Sequence, residues 1–554
     1  MGKKSRKKKG KELPEDRPQG VSINNFPYIY WAGIIIIILL IVFIRLRLME
    51  IPLERDEGEF AYMGQLMLQG IPPYLISYNM KLPGIYAAYA VIMLFFGQST
   101  AGIHLGFIII NVATIILVFL IATHLFDQLT GFVAGASFAI LSLSPTVLGT
   151  SAHATHFVLL PALAGFLVLF QSTESGKAGY IFWSGILLGL SFLMKQSGIF
   201  FVIFASLYLV YRSSRARNFS LQVLLRQECF FLMGAAIPLA ITCGVLYFTG
   251  VFEKFWFWTF SYASQYVSLT PLSRAFKSFL DHFEGVIGKF YLLWGIAVVG
   301  TGFLFIGKTY RAQKAFVLGL LVFSLLAVCP GFYFRKHYFV LILPAVSILI
   351  GIGLNGLTRS IASLNGRLQF VPISLFVVFS LVSLFQYRSF LFEWTPYQAC
   401  QATYFPNPFV QSIEVAKYIE THSQQEDKIV VLGSEPQIYF YANRHSATGY
   451  IYMYSLMEDH KYALQMQNEM IEEVEKAKPS YLVFVNVPTS WLARQSSRKY
   501  IIEWFDRYHQ KNLDLVGVVD IISSVHTEYR WGREAQIYSP QSSYFLHIFK
   551  RKRI

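Results

Sequence analysis

The sequence predicts a polytopic α-helical membrane protein that ends in a small α/β domain. Three observations predict it. Hydrophobic residues fill 54% of the 554 positions and charged ones only 14%, where a soluble domain carries about 25% charged residues. Apolar stretches, most of them near span length, recur from residue 28 to residue 387. Beyond 387 hydropathy falls, and short apolar runs bounded by turn residues take over.

Taken in order, residues 1–27 form a basic tail, with seven of the first eleven positions Lys or Arg. Residues 28–387 carry eleven expected spans, at 28–49, 101–126, 131–152, 154–171, 180–194, 197–211, 230–250, 286–306, 315–330, 336–357 and 368–387. The first lacks a short apolar core and a small-residue cleavage site, so it is read as a retained anchor. Residues 50–100 and 251–285 are read as outer loops with juxtamembrane helices. Within the first of them, "LPGIYAAYAVIMLFFG" (82–97) is apolar but short and opens at Pro83, which suits a re-entrant or interfacial helix. Residues 388–554 hold strand-like runs at 428–433, 481–486, 513–519 and 544–549. Helical periodicity near 410–422, 458–478 and 497–510 alternates with them, as in an α/β domain.

The net charge of +15 does not indicate nucleic acid, because the basic residues cluster in the tail and between apolar segments. Placing the tail in the cytosol by the positive-inside rule sends the first span outward. Eleven spans then leave "RSSRAR" (212–217), "GKTYRAQK" (307–314), Arg359 and Arg367 cytosolic, and deliver the C-terminal domain to the outside. Cysteines at 229, 243, 329 and 400 show neither metal-ligand spacing nor a disulfide framework.

With this parity the polar residues at the outer ends of the spans converge. Asp56, Glu57 and Glu59 follow the first span, and Lys81 precedes the short helix. His153 and His156 lie between the third and fourth spans, Lys195 between the fifth and sixth, and Arg335, Lys336 and His337 between the ninth and tenth. Carboxylates facing a ring of Lys, Arg and His suit a substrate with a phosphate at one end and a hydroxyl to be deprotonated nearby. Lys and Arg hold phosphate by charge-assisted hydrogen bonds, and a carboxylate within ~3 Å accepts a proton. Each member also has a plainer reading: carboxylates at a helix exit as interfacial polar residues, and Lys or Arg as snorkelling cations. His153 and His156, three apart, share a helical face and are candidates either for a metal or for packing. The loop "VFEKFWFWTFSYASQY" (251–266), with Tyr262, reads as an aromatic belt or a groove for a polyprenyl chain. Tyr62 and Glu435, the latter at a strand end, complete the residues considered for a substrate cavity.

The membrane part resembles the GT-C glycosyltransferases that use polyprenyl-phosphate sugars, especially the family 39 protein O-mannosyltransferases and the related lipid A aminoarabinose and galacturonic acid transferases. The resemblance rests on "RDEGEFAYMGQLML" after the first span, "NMKLPG", "MKQSG" and "RKHYFVLILP". It implies that Asp56 activates the acceptor hydroxyl, supported by Glu57 and Glu59. Lys81 and Lys195 would contact the donor phosphate, and Arg335, Lys336 and His337 would line the donor site. Two departures stand out: Met80 replaces a Glu common before the Lys-Pro turn of the aminoarabinose enzymes, and Leu82 separates Lys81 from Pro83. A metal dependence resting on that Glu does not carry over; no cofactor is firmly predicted, and a divalent metal stays open.

The function expected is transfer of a monosaccharide from a polyprenyl-phosphate donor to a lipid, glycan or protein hydroxyl at the outer face of the plasma membrane, with inversion. The competing readings are a transporter or flippase, a receptor anchored by its membrane part, and an outer-face ligase that takes whole glycans from a lipid diphosphate. A transporter places ionisable groups near mid-membrane, and the span centres here are almost free of them. Eleven spans also exceed what an anchor requires.

Overall fold

A computed structural model describes residues 28–175, 177–215, 219–306 and 311–552. The basic tail, residues 216 and 217 of "RSSRAR" and residues 307–310 of "GKTYRAQK" lie outside them. Among the described residues nine helices are long and apolar enough to cross a membrane, from Tyr28–Arg47 to Gly366–Gln386. Two shorter apolar helices, Gln128–Leu141 and Ala178–Met194, stand where the third and fifth spans were expected. Every expected stretch therefore contains a helix, and the protein is an integral membrane protein.

Gln128–Leu141 stops eleven residues short of its expected end at 152. The reason is local: Pro145 holds Ser144 extended (φ −61°, ψ 125°), and Leu148 turns left-handed at φ 52°. Arg45, at the end of the first helix, fixes the resulting turn by donating to Ser142 O at 2.9 Å and Gly149 O at 3.0 Å. The short apolar segment forms the helix Gly84–Phe96. Its first residue touches the end of Ala178–Met194 so closely that a Cβ there would lie 2.5 Å from Leu193 O.

The C-terminal domain has one mixed six-stranded sheet: β1 Lys428–Leu432, β2 His445–Ser446, β3 Tyr481–Asn486, β4 Leu513–Ile521, β5 Thr527–Trp531 and β6 Phe545–Arg551. Their order is β2-β1-β3-β6-β4-β5. β2, β1 and β3 are parallel and the other pairs antiparallel. Helices Gln411–His422, Ala463–Ala477 and Tyr500–Asn512 match the expected helical segments, and Ile429–Leu432 is fully buried, as a strand covered on both faces requires. β5 and the two-residue β2 were not expected; they are short and carry no uninterrupted apolar run.

The domain is fused to one end of the helical bundle. Helix Arg55–Leu68 is the joint, opened by a capping box in which Glu54 accepts from Glu57 N and Glu57 from Glu54 N. Tyr62 OH accepts from Ser446 N at 2.7 Å, and its ring stacks on Tyr439. A second apolar core, separate from that of the bundle, joins residues of helices Arg55–Leu68 and Gly84–Phe96, the aromatic loop and the sheet.

Candidate active site

Where bundle and domain meet, a cavity of about 460 Å³ collects residues from loops far apart in sequence. Three local structures present its cations. Lys81 sits in the turn before Pro83, its carbonyl accepting from Tyr74 OH at 2.6 Å. Lys195 occupies the extended break (φ −162°) between two helices, and Gln196 beside it donates to Met80 O at 2.6 Å, tying both lysine turns together. Arg335 follows Phe332 and Phe334, both left-handed at φ 54° and 45°. Such strain in non-glycine residues persists only where the surroundings over-determine it.

Eight of the thirteen residues singled out from the sequence line this cavity: Asp56, Lys81, His153, Lys195, Tyr262, Arg335, Lys336 and His337. The other five stand behind its walls. Glu57 is fully buried, 3.0 Å from His104 Nε2 and accepting from Ala152 N. Glu59 is also fully buried and bonds Lys81 at 2.5 Å and Tyr86 OH at 2.8 Å. Tyr62 belongs to the interdomain joint, and His156 lies edge-on to Phe107. Glu435 pairs with Arg55 at 3.0 Å and accepts from Ser490 Oγ at 2.6 Å.

Asp56 stands at the centre, its side chain 23% exposed. Its Oδ1 meets Lys81 Nζ at 2.8 Å and the Tyr452 hydroxyl at 2.8 Å. Burial is the largest single influence and disfavours its charge, but Lys81, His337 and His153 together outweigh it and hold the carboxyl well below the usual range. Glu59, behind Lys81, is pushed up to about 7, with burial the main cause and Lys81 opposing it. One lysine thus bridges an ionised carboxylate in the cavity and a readily protonated one beneath it. Burial pulls Lys195 down to about 7, with Lys81 and Arg335 adding to the effect against Asp56; its ammonium rests 3.7 Å from the Tyr338 ring centre.

Several cavity residues escaped sequence reading. Glu54 is one, and its signal was present: it begins an E-x-x-E capping pattern just ahead of the helix. Tyr452, Tyr454 and Glu458 reach in from the C-terminal domain, with Tyr262 OH donating to Glu458 at 2.6 Å. Burial pushes Glu458 up to about 7. No local pattern marks them as cavity residues.

Asp56, His153 and His337 offer three potential metal-ligand atoms within 4.8 Å of one another, and both ring nitrogens of His153 lack a hydrogen-bond partner. The rings of His153 and His337 are stacked, however, 4.1 Å apart and only 10° from parallel. Their in-plane lone pairs run side by side and do not converge on one point. As arranged, the imidazoles do not fit a shared ion.

Residues 81–248 match the family described as dolichyl-phosphate-mannose-protein mannosyltransferase. No curated protein matches the sequence. Among solved structures, ArnT from Cupriavidus metallidurans bound to undecaprenyl phosphate aligns with a TM-score of 0.54 at 14% identity, covering 84% of this chain and 94% of that one. Its apo form gives 0.53 at 16% identity, covering 82% and 93%. The apo oligosaccharyltransferase of Archaeoglobus fulgidus gives 0.50 at 12% identity, covering 93% and 75%. Family match and fold agree with the resemblance read from the sequence: the chain is a membrane protein with a GT-C-like fold, and its residues 81–248 match the family described as dolichyl-phosphate-mannose-protein mannosyltransferase.

Proposed function

We propose that the protein transfers a monosaccharide, a hexose or pentose, from a polyprenyl-phosphate donor to a hydroxyl of a lipid, glycan or protein acceptor. One observation carries the reading: Asp56, a carboxylate held in its ionised form, shares a cavity with Lys195, Arg335 and Lys336. Asp56 takes the acceptor's proton as its oxygen attacks the anomeric carbon. The bond from that carbon to the phosphate oxygen breaks on the opposite face, and configuration inverts. The bonding electrons leave with the phosphate, whose charge Lys195 and Arg335 hold. Stabilising charge that develops in the transition state is usually the largest single contribution in such sites, and a phosphate leaving group needs no strong general acid.

Glu57 and Glu59 support Asp56 from beneath the cavity floor, the first by setting the helix start and the second by holding Lys81. Lys81 neutralises the base and does not reach for the donor as its first partner. The protein sits in the plasma membrane with its N-terminus in the cytosol and its C-terminal domain outside. That orientation gathers Asp56, Lys81, Lys195 and Arg335 at the outer face, where lipid-linked donors meet extracytoplasmic acceptors. Asp56→Asn tests the reading. Transfer should fall by about 100- to 10,000-fold, the range for losing a general base, with binding of polyprenyl phosphate retained. Turnover like that of the wild type would overturn the assignment.

A further inference from the structure

Both donors to Asp56 use the same oxygen. Lys81 Nζ and the Tyr452 hydroxyl each lie 2.8 Å from Oδ1. The neighbours of Oδ2 are His337 Nε2 at 3.8 Å and His153 Nδ1 at 3.9 Å, beyond hydrogen-bond reach. One oxygen is therefore saturated while the other is left open.

Tyr452 comes from the C-terminal domain, 396 residues from Asp56, and its segment is held firmly. Met453 N donates to Ser434 Oγ at 2.9 Å, and Tyr454 OH donates to Thr489 O at 2.8 Å. The Tyr452 and Tyr454 rings meet nearly at right angles, with centres 5.2 Å apart. The Lys81 ammonium also lies 5.3 Å from the Tyr452 ring centre. The phenol thus engages both members of the Asp56–Lys81 pair.

We propose that Tyr452 is a positioning residue of the reaction centre: with Lys81 it occupies Oδ1, so that Oδ2 is presented to the acceptor hydroxyl, and the centre is complete only with the C-terminal domain docked. This rests on Asp56 acting as the base and adds to that reading a residue from a second domain. The charged groups acting on Asp56 are Lys81, His153, His337, Lys195, Arg335, Glu54 and Glu59, and the other tyrosines facing it are Tyr86, Tyr89, Tyr338 and Tyr454. All of these remain in Tyr452→Phe, so a change in that variant reports the phenol alone.

The experiment labels carboxyls of the full-length protein with a water-soluble carbodiimide and an amine, and locates them by mass spectrometry across a pH series. A hydrogen bond to a charged group contributes about 1.5–3 kcal/mol. Losing it should raise the Asp56 pKa and increase labelling of Asp56 in Tyr452→Phe about tenfold near pH 5. Tyr450→Phe, which removes a hydroxyl bonded to Glu469 outside the cavity, should label like the wild type. Where the Phe variant does not fold, 3-fluorotyrosine in place of Tyr452, which keeps the hydroxyl in position and makes it a stronger donor, should lower Asp56 labelling, and labelling equal to the wild type there contradicts the proposal. Equal labelling of Asp56 in folded Tyr452→Phe and wild type overturns it, as does an equal rise in Tyr450→Phe. If the wild type transfers sugar from no donor while the labelling difference appears, the proposed function fails, and the role of Tyr452 in presenting Oδ2 to an acceptor fails with it, leaving only its hydrogen bond to Asp56.

Discussion

Lys195 shows how much the position of a single side chain decides. Its ammonium is buried against an aromatic ring beside two other cations, and its pKa of about 7 is set mainly by lost hydration. Below that pKa it carries the charge a donor phosphate needs, and the charge fades as pH rises through it. A polyprenyl-phosphate monosaccharide is a phosphodiester with one fixed negative charge over this range. Its affinity should therefore fall about tenfold between pH 6.5 and 8.5, and Lys195→Arg, which stays charged, should flatten the profile; titrations at a series of pH values check this. Lys195, Lys81, Asp56 and Arg335 were legible in the sequence because each interrupts or ends an apolar run. Tyr452 and Glu458 were not, since tyrosine and glutamate are ordinary in a soluble domain and only the fold carries them to the cavity. The acidic cluster was legible as a group but not by role. On a helix, successive residues turn by 100°: Asp56 faces the cavity, Glu57 turns toward His104, and Glu59 returns beneath Lys81.

Helix Arg55–Leu68 is the element on which the site depends, because its two ends and two faces serve different purposes. Its capped N-terminus projects Asp56 into the cavity, and the turn after it lies against the C-terminal domain. At Gly58 a Cβ would stand 2.7 Å from Gln437 N and 2.6 Å from Gln437 Cβ, so only glycine allows this approach. Gly58→Ala should cost about 1–3 kcal/mol, as overpacking typically does, and lower the thermal unfolding temperature. Gly179→Ala, with open space around the new methyl, should leave it unchanged. The existence of this helix was legible from its position and capping residues, and its contact with the sheet was not. A glycine inside an acidic helix reads as a weak propensity, and only the structure shows the neighbour that requires it. The same limit explains the third span, where hydropathy continued past Leu141 although Pro145 ended the helix.

At the scale of the molecule, one end of a helical bundle and one face of an α/β domain enclose a cavity that neither builds alone. The alternation of spans was legible from hydropathy, and it brought Lys81, His153, Lys195 and Arg335 to a common end. These four line one cavity. What hydropathy could not give was the wall supplied by the C-terminal domain, because docking between domains follows shape at Gly58 and Tyr62, which carry no periodic pattern. Group transfer from a lipid phosphate is the activity this cavity must support. The most direct measurement incubates the purified protein, in lipid nanodiscs with a cell-envelope extract, with a panel of labelled polyprenyl-phosphate monosaccharides, and identifies products by mass spectrometry. Release of polyprenyl phosphate from at least one donor, with the sugar recovered on an acceptor and lost with Asp56→Asn, is the predicted result. Failure to consume any donor, in preparations that bind polyprenyl phosphate, would contradict it.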